Sequence, residues 1–266
     1  VFLRFIGEKY ENGIENLRNI LIEKGLDPEA TVNCQGYMEI GTEKFACYIY
    51  NAYDGYHGPV NLYDAIGDSC NYYFFSLGLG MDPRGEYQLG VKVDIEDIQE
   101  MVKKLGLDKR SGIEINFPSE SESNVPSKEG KLDISIAMTK IFLNNDLAKY
   151  KKPGVFKNQS DYADDIREIV SWMEETNQLS RSEIIDKLEE MGYHGEQPLD
   201  GSNTNLADIL KYSYFNQASW TTADTLNSVI GQGSNSYTPL TISTLVSTLA
   251  NGGMDYDVTI VKEIRK

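Results

Sequence analysis

The spacing of apolar residues changes twice along this 266-residue chain, and these changes constrain its fold. Between residues 1 and 127, stretches with helical spacing alternate with glycine-punctuated stretches that are typical of strands and turns. Residues 128–217 carry amphipathic helix patterns, and residues 218–266 return to the mixed pattern. We therefore predict a mixed α/β (α+β) domain in two parts, 1–127 and 218–266, with a helical subdomain inserted at 128–217.

The helix expected at 94–105 has the clearest end signals. Asp94 is a good N-cap, and Gly106 follows the last apolar position. A second one, at 181–191, begins at a capping box of Ser180 and Glu183. The same reasoning predicts further helices at 8–24, about 64–77, 161–175 and 239–250, and strands at 112–117 and 258–264, with strands and turns across 31–50.

The net charge of −16 excludes several partners. Nucleic acid and anionic membrane surfaces would repel such a chain, because both present negative charge. No apolar run approaches the ~20 residues that a membrane-spanning helix requires. The apolar start, Val1 to Ile6, is too short for a signal peptide, so we expect any targeting segment or anchor to lie outside this chain.

Several short motifs in a fixed order resemble a known family. They are Gly58-Pro59-Val60-Asn61-Leu62, Ala65-Ile66, Ser69-Cys70-Asn71-Tyr72-Tyr73-Phe74, Lys104-Leu105-Gly106-Leu107, Ser111-Gly112-Ile113-Glu114-Ile115, Asp224-Thr225-Leu226-Asn227, Ile230-Gly231-Gln232-Gly233, Tyr237-Thr238-Pro239-Leu240 and Leu249-Ala250-Asn251-Gly252-Gly253. In this order they resemble the transpeptidase domain of class B penicillin-binding proteins of the elongation or sporulation type. The resemblance covers roughly residues 1–127 and 218–266, and the inserted helices resemble an elaboration of clostridial members.

The resemblance implies a fold, an activity and a location. The fold would be that of penicillin-binding protein transpeptidases and serine β-lactamases, of which this chain supplies an incomplete version. The activity would be D,D-transpeptidation of peptidoglycan stem peptides, with β-lactams as inhibitors that bind the same site. The protein would work at the extracytoplasmic face of the cytoplasmic membrane, together with other cell-wall synthesis proteins.

The family uses a Ser-x-Asn motif to assist proton transfer and to hold the substrate amide, and Ser69-Cys70-Asn71 matches it. On a continuous helix, residues two apart diverge by about 200°, so both side chains can share one cleft only if the backbone turns there. The alternative is an ordinary helix N-terminus, where serine is a common cap. By the same resemblance, Gly231, Gln232 and Gly233 would form a tight turn beside the substrate cleft.

Two of the family's three catalytic motifs are absent. The turn Tyr10-Glu11-Asn12-Gly13 is followed by Ile14-Glu15-Asn16-Leu17, where Ser-x-x-Lys would be expected, and residues 1–68 contain no serine. The chain also lacks Lys-Thr-Gly, and Arg110-Ser111-Gly112 is only a superficial match. We therefore expect this chain to be inactive: either an altered or incomplete version of an active transpeptidase, or a non-catalytic scaffold in a cell-wall assembly.

Cys34, Cys47, His57 and Cys70 are candidate ligands of a structural zinc ion. Their spacings of 13, 10 and 13 residues match no zinc finger, but three thiolates and an imidazole are a typical closed zinc set. Some elongation-type relatives are expected to hold zinc beside the Ser-x-Asn motif. Asp54 is a substitute fourth ligand. The alternative is a Cys34–Cys47 disulfide with Cys70 buried in the core.

Overall fold

The computed structural model describes residues 24–82, 84, 89–114, 119–174, 179–199, 201–251, 254 and 256–260. Apart from its last residue, the predicted helix 8–24 lies outside this part of the chain, as do residues 115–117 and 261–264 of the two predicted strands. The chain divides into two compact units: residues 1–126 with 221–266, and residues 127–220. The division expected from the sequence differs from this by one residue at the first boundary and three at the second. The interpretation of the middle segment as an insertion stays a prediction.

The strands of the first unit form two small antiparallel pairs. In one pair, β1 (Val32–Cys34) lies beside β4 (Gly58–Val60), and in the other, β2 (Tyr37–Ile40) lies beside β3 (Glu43–Ala46). The register places Cys34 directly opposite Gly58. This pairing brings His57, the residue before β4, to the end of β1.

The helices of the first unit are short, and those at 62–67, 95–104 and 222–229 begin at capping boxes. They are α1 (Tyr48–Tyr53), α2 (Leu62–Gly67), α3 (Asn71–Leu79), α4 (Ile95–Lys104), α10 (Thr222–Val229) and α11 (Pro239–Ala250). The prediction for 94–105 is confirmed. Asp94 is the N-cap of α4: its carboxylate accepts from the N–H of Asp97, and the Asp97 carboxylate accepts from the N–H of Asp94. The single helix predicted at 64–77 is wrong, because the chain turns between α2 and α3 at residues 68–70.

The described parts of the two predicted strands at 112–117 and 258–264 are not strands. Segments 112–114 and 258–260 are joined by a side chain instead of a backbone ladder. The backbone N–H of Ile260 donates to the Glu114 carboxylate over 3.1 Å, and the Thr259 hydroxyl donates to it as well. These bonds hold the pKa of Glu114 below its usual value, with the bond from Thr259 as the main cause. The Glu114 carboxylate thus accepts from the N–H of Ile260, which a neighbouring strand would otherwise need for its backbone hydrogen bonds.

The second unit is helical. It contains α5 (Lys128–Asp146), a 3₁₀ turn (Leu147–Tyr150), α6 (Gln159–Ser171), α7 (Arg181–Glu190), α8 (Leu206–Asp208), a π-helix (Ile209–Phe215) and α9 (Asn216–Ala218). Helices α6 and α7 confirm two predictions, including the capping box of Ser180 and Glu183. The sequence pattern missed α5, because apolar residues occur on both its buried and its exposed faces. Of the helices in the described part of the chain, none is long and apolar enough to cross a membrane.

Helices α3 and α10 pack closely in the core of the first unit. A Cβ atom on Gly78 would lie 3.1 Å from Leu226 Cδ2 and 3.4 Å from Val229 Cγ1, so the absence of a side chain at Gly78 permits the close approach. Leu226 is fully buried among the apolar residues that surround α3. The Leu226 and Val229 side chains therefore fill the space over Gly78, and Leu226 makes the closer contact.

We predict that Leu226→Ala lowers the free energy of unfolding by about 3 kcal/mol, since it removes buried methyl groups and leaves a cavity. Urea unfolding followed by far-UV circular dichroism measures the loss. Ile260→Ala is the control, because that side chain is 61% exposed and its truncation should change stability by less than about 0.5 kcal/mol. Equal losses in the two variants would contradict the packing described for Leu226.

Candidate metal centre and the Ser-Cys-Asn turn

Four elements of the first unit bring three cysteines and a histidine together. Cys34 ends β1, Cys47 precedes α1, His57 precedes β4, and Cys70 precedes α3. One ligand atom from each of the four residues lies within 4.8 Å of all the others. The three cysteines are fully buried. The sequence separates these residues widely, and only the folding of β1, β4 and the two helix starts makes them neighbours.

The distances suit a tetrahedral metal ion. His57 Nδ1 lies 3.6 Å from Cys34 Sγ and 3.6 Å from Cys47 Sγ. With metal–sulfur and metal–nitrogen bonds of about 2.3 Å and 2.0–2.1 Å, the sulfur–nitrogen edge of a tetrahedron is about 3.6 Å. All three cysteines are free thiols, so the alternative of a Cys34–Cys47 disulfide is wrong. The thiols of Cys34 and Cys47 both face Nδ1 of His57 and so belong to one cluster.

Backbone N–H groups surround the sulfur atoms. The N–H of Gly36 donates to Cys34 Sγ over 3.4 Å, and the backbone N–H groups of Tyr72 and Ile49 help to lower the pKa of the Cys47 thiol. Such bonds stabilise the thiolate form that a metal requires. Sequence reasoning missed Gly36, although the spacing Cys34-Gln35-Gly36 is a visible signal. Its φ is +86°, and a Cβ there would lie 2.6 Å from the carbonyl oxygen of Gly55.

The electrostatics of the cluster call for a cation. Contacts with Cys34 and then Cys70 lower the pKa of the Cys47 thiol to about 2. In contrast, contacts with Cys34 and Cys47, together with burial, raise the pKa of the Cys70 thiol far above its usual value. Three neighbouring thiolates repel one another, so the protein alone favours one ionised and two neutral thiols. A coordinated divalent cation removes this conflict, because it deprotonates the thiols that bind it.

The four residues therefore fit a metal ion as a closed set. Asp54, the substitute ligand, is exposed at the end of α1 and does not belong to the group. His57 Nδ1 faces the sulfurs, while its Nε2 is buried without a hydrogen-bond partner among the described residues. A set of four protein ligands leaves no open position for a substrate, which is typical of a structural site.

Ser69 lies in a tight turn between α2 and α3. The N–H of Ser69 donates to the carbonyl of Ile66 over 3.3 Å, and the N–H of Cys70 donates to that of Ala65 over 2.9 Å. These two bonds are those of a Schellman motif, which closes a helix with one residue in the left-handed conformation. Here that residue is Ser69, with a φ of +51°.

The same pair of bonds closes four other described helices, and each has glycine at the left-handed position. These glycines are Gly80, Gly106, Gly192 and Gly231, with φ values of +79°, +68°, +87° and +71°. Glycine is the usual residue there because a Cβ atom costs about 1–2 kcal/mol in this conformation. Ser69 therefore holds a strained backbone in a place where the chain elsewhere uses glycine.

The turn supplies the change of direction that the Ser-x-Asn interpretation requires. Ser69 closes one helix and Asn71 begins the next, so the two side chains do not lie at successive positions of one helix. Ser69 Oγ is buried and has no hydrogen-bond partner among the described residues. Asn71 Nδ2 donates to the carbonyl of Ala46 over 3.5 Å. That both side chains face a substrate cleft stays a prediction.

The glycine turn at 231–233 ends α10. Gly231 N–H donates to the carbonyl of Ser228, and Gln232 N–H donates to that of Asn227. Val229, the last residue of α10, packs near Gly78, about 10 Å along α3 from Asn71 at 1.5 Å per residue. The role of Gly231, Gln232 and Gly233 at the cleft also stays a prediction.

We predict that two substitutions of Ser69 differ in their effect on stability. Both Ser69→Gly and Ser69→Ala remove the unbonded hydroxyl, but only glycine relieves the left-handed backbone. Ser69→Gly should therefore be more stable to urea than Ser69→Ala by about 1 kcal/mol. Equal stabilities of the two variants would mean that Ser69 does not adopt a positive φ in solution.

The comparisons with known proteins agree with the motifs. The family model of the penicillin binding protein transpeptidase domain matches residues 19–160, which is more than half of the chain. No curated protein sequence matches the chain significantly.

Two similar solved structures are of Helicobacter pylori PBP2, a penicillin-binding protein. The structure in complex with MreC has 19% identity and a TM-score of 0.46, over 91% of this chain and 26% of that one. The structure of PBP2 by itself has 18% identity and a TM-score of 0.47, over 92% and 28%. This chain thus spans about a quarter of the length of those proteins. By its match over residues 19–160, the chain belongs to the penicillin-binding protein transpeptidase domain family, and its fold is the mixed helix-and-sheet fold of that family.

Proposed function

We propose that this chain is part of a peptidoglycan D,D-transpeptidase of class B, of the elongation or sporulation type. Its match to the family model carries the proposal. The match of Ser69-Cys70-Asn71 to the family's auxiliary motif supports it. Peptidoglycan stem peptides would be the substrate and β-lactams the inhibitors. Other cell-wall synthesis proteins would be the partners, at the extracytoplasmic face of the cytoplasmic membrane.

We further propose that the chain itself performs no acyl transfer. No Ser-x-x-Lys and no Lys-Thr-Gly occurs in its 266 residues. A serine nucleophile needs a base within hydrogen-bond reach to become reactive. Ser69 cannot substitute for the missing serine, because its Oγ is buried and has no hydrogen-bond partner among the described residues. Without a nucleophile, no covalent acyl-enzyme can form.

Zinc is the metal that we propose for the Cys34, Cys47, His57 and Cys70 group. Thiolates are soft ligands that favour zinc over magnesium or calcium, and the donor distances suit a tetrahedron. Zinc would join β1, the start of α1 and the start of α3. Since Cys70 lies between Ser69 and Asn71, the ion would stabilise the turn that carries both residues.

The second candidate function is a non-catalytic, zinc-stabilised scaffold in a cell-wall assembly. The observation that favours it is the combination of a complete ligand group with an absent nucleophile. In this case the chain would contribute a stable surface rather than a reaction. The two candidates differ in whether any form of the protein reacts with a β-lactam.

We predict that fluorescent penicillin forms no covalent band with this chain on a denaturing gel. A penicillin-binding protein that has an intact Ser-x-x-Lys motif, treated in parallel, is the positive control. A labelled band that disappears in Ser69→Ala would show that Ser69 is a nucleophile, and our proposal of an inactive chain would then be wrong.

We predict about one zinc ion per chain by elemental analysis. His57→Ala should remove most of this zinc and lower the melting temperature by about 5 °C or more. His194→Ala is the matched control, because His194 is the other histidine of the chain and lies outside the ligand group. Wild-type protein treated with a chelator should melt near the temperature of His57→Ala. If the purified protein contains no zinc and gains no thermal stability when zinc is added, the zinc proposal fails, and the family assignment is unaffected.

A further inference from the structure

Helix α5 carries an apolar stripe on its solvent-exposed side. Ile134, Met138 and Ile141 are 55%, 55% and 58% exposed. Their spacing of four and three residues places them on one face, within about 60° around the helix axis. Ala137, which is also exposed, lies at the edge of the same face.

The other face of α5 belongs to the core of its unit. Ser135, Thr139 and Leu143 are buried there, and Phe142 stacks on Tyr214 of the π-helix at 5.3 Å between ring centroids. The exposed stripe is therefore additional to the apolar surface that holds α5 in place. A surface helix normally has a polar outer face, and an apolar stripe in that position is typical of an interaction surface.

Two charges of opposite sign flank the stripe on the same side. Asp133 and Lys140 are exposed and seven residues apart, so they lie almost directly above one another along the helix. Neither side chain forms an ion pair with another described residue. An acidic and a basic group on one flank make that flank complementary to an inverted copy of itself.

We propose that a second copy of this chain docks on the stripe, with the two α5 helices antiparallel about a two-fold axis. In an antiparallel helix pair, the same flank of each helix faces its counterpart. Asp133 then lies opposite the partner's Lys140, and the two-fold axis repeats the contact. The two apolar stripes then bury each other, and both ion pairs lie along the same side of this apolar contact. A helix from another protein would also cover the stripe, but it would not account for the matched positions of Asp133 and Lys140.

The interface is small. A helix of 19 residues is about 28 Å long, and one helix pair buries less than the roughly 800 Å² per partner of a standard interface. The dimer is therefore weak and its ion pairs are sensitive to salt. This inference does not depend on the proposed enzyme family function or on the metal.

Sedimentation velocity of the full chain at low salt, over a range of protein concentrations, tests the dimer. Wild type should shift from monomer to dimer as concentration rises. Met138→Lys should raise the dissociation constant at least about tenfold, because it places two charges in the apolar contact. Phe156→Lys is the control: Phe156 is 97% exposed in the same unit but lies outside α5, so its replacement should leave the dissociation constant unchanged.

Charge exchange distinguishes self-association through this face from any other mode. Asp133→Lys and Lys140→Asp should each weaken the dimer, since like charges then face one another. Mixing the two variants should restore association, and so should the double variant with both substitutions. A chain that stays monomeric at every concentration would overturn the proposal, as would a dimer that neither single charge substitution weakens or a mixture of the two variants that does not associate.

Discussion

The convergence of three buried thiols on one imidazole is the interaction on which the first unit depends. Cys34, Cys47, His57 and Cys70 come from four different elements, and the small strand pairs between them have little hydrogen bonding of their own. One strand pair has three residues in each strand and the other has four. Four ligand bonds to one ion would join these elements more strongly than such short pairs can. The N–H of Gly36, which donates to Cys34 Sγ, favours the thiolate form of that cysteine. The same elements also share an apolar core, in which all three cysteines are buried.

The turn at Ser69 is coupled to this group through the chain itself. Cys70 is the next residue, so the position of its sulfur limits where α3 can begin and how α2 must end. The Schellman motif then leaves Ser69 in a conformation that glycine occupies in the equivalent turns. A strained residue persists only when its surroundings determine its position, and such residues occur often at functional sites. The buried cluster beside Ser69 provides those surroundings.

By its sequence resemblance, the chain carries the Ser-x-Asn motif of the family and lacks Ser-x-x-Lys and Lys-Thr-Gly. The family model matches residues 19–160, which include Ser69-Cys70-Asn71, while Ser-x-x-Lys does not occur in the 266 residues. The turn at Ser69, the helix caps and the buried core form without the serine and lysine of that motif, because they rest on contacts among the residues that are present.

The sequence by itself determined the local features. Asp94, Ser180 and Gly106 define helix ends through hydrogen bonds to backbone atoms a few residues away, so these ends could be predicted. The family and the ligand types were also predictable, because short motifs and residue chemistry are visible in one dimension. Helix α5 was not, because its exposed stripe of Ile134, Met138 and Ile141 hides the usual periodicity. The apolar spacing at 64–77 did not reveal the break at residues 68–70, because a serine in the left-handed conformation has no sequence signal, although the Ser-x-Asn interpretation required a turn there. Only the tertiary structure decided that three thiols share one histidine instead of forming a disulfide, since that choice depends on contacts between residues 10 to 36 positions apart.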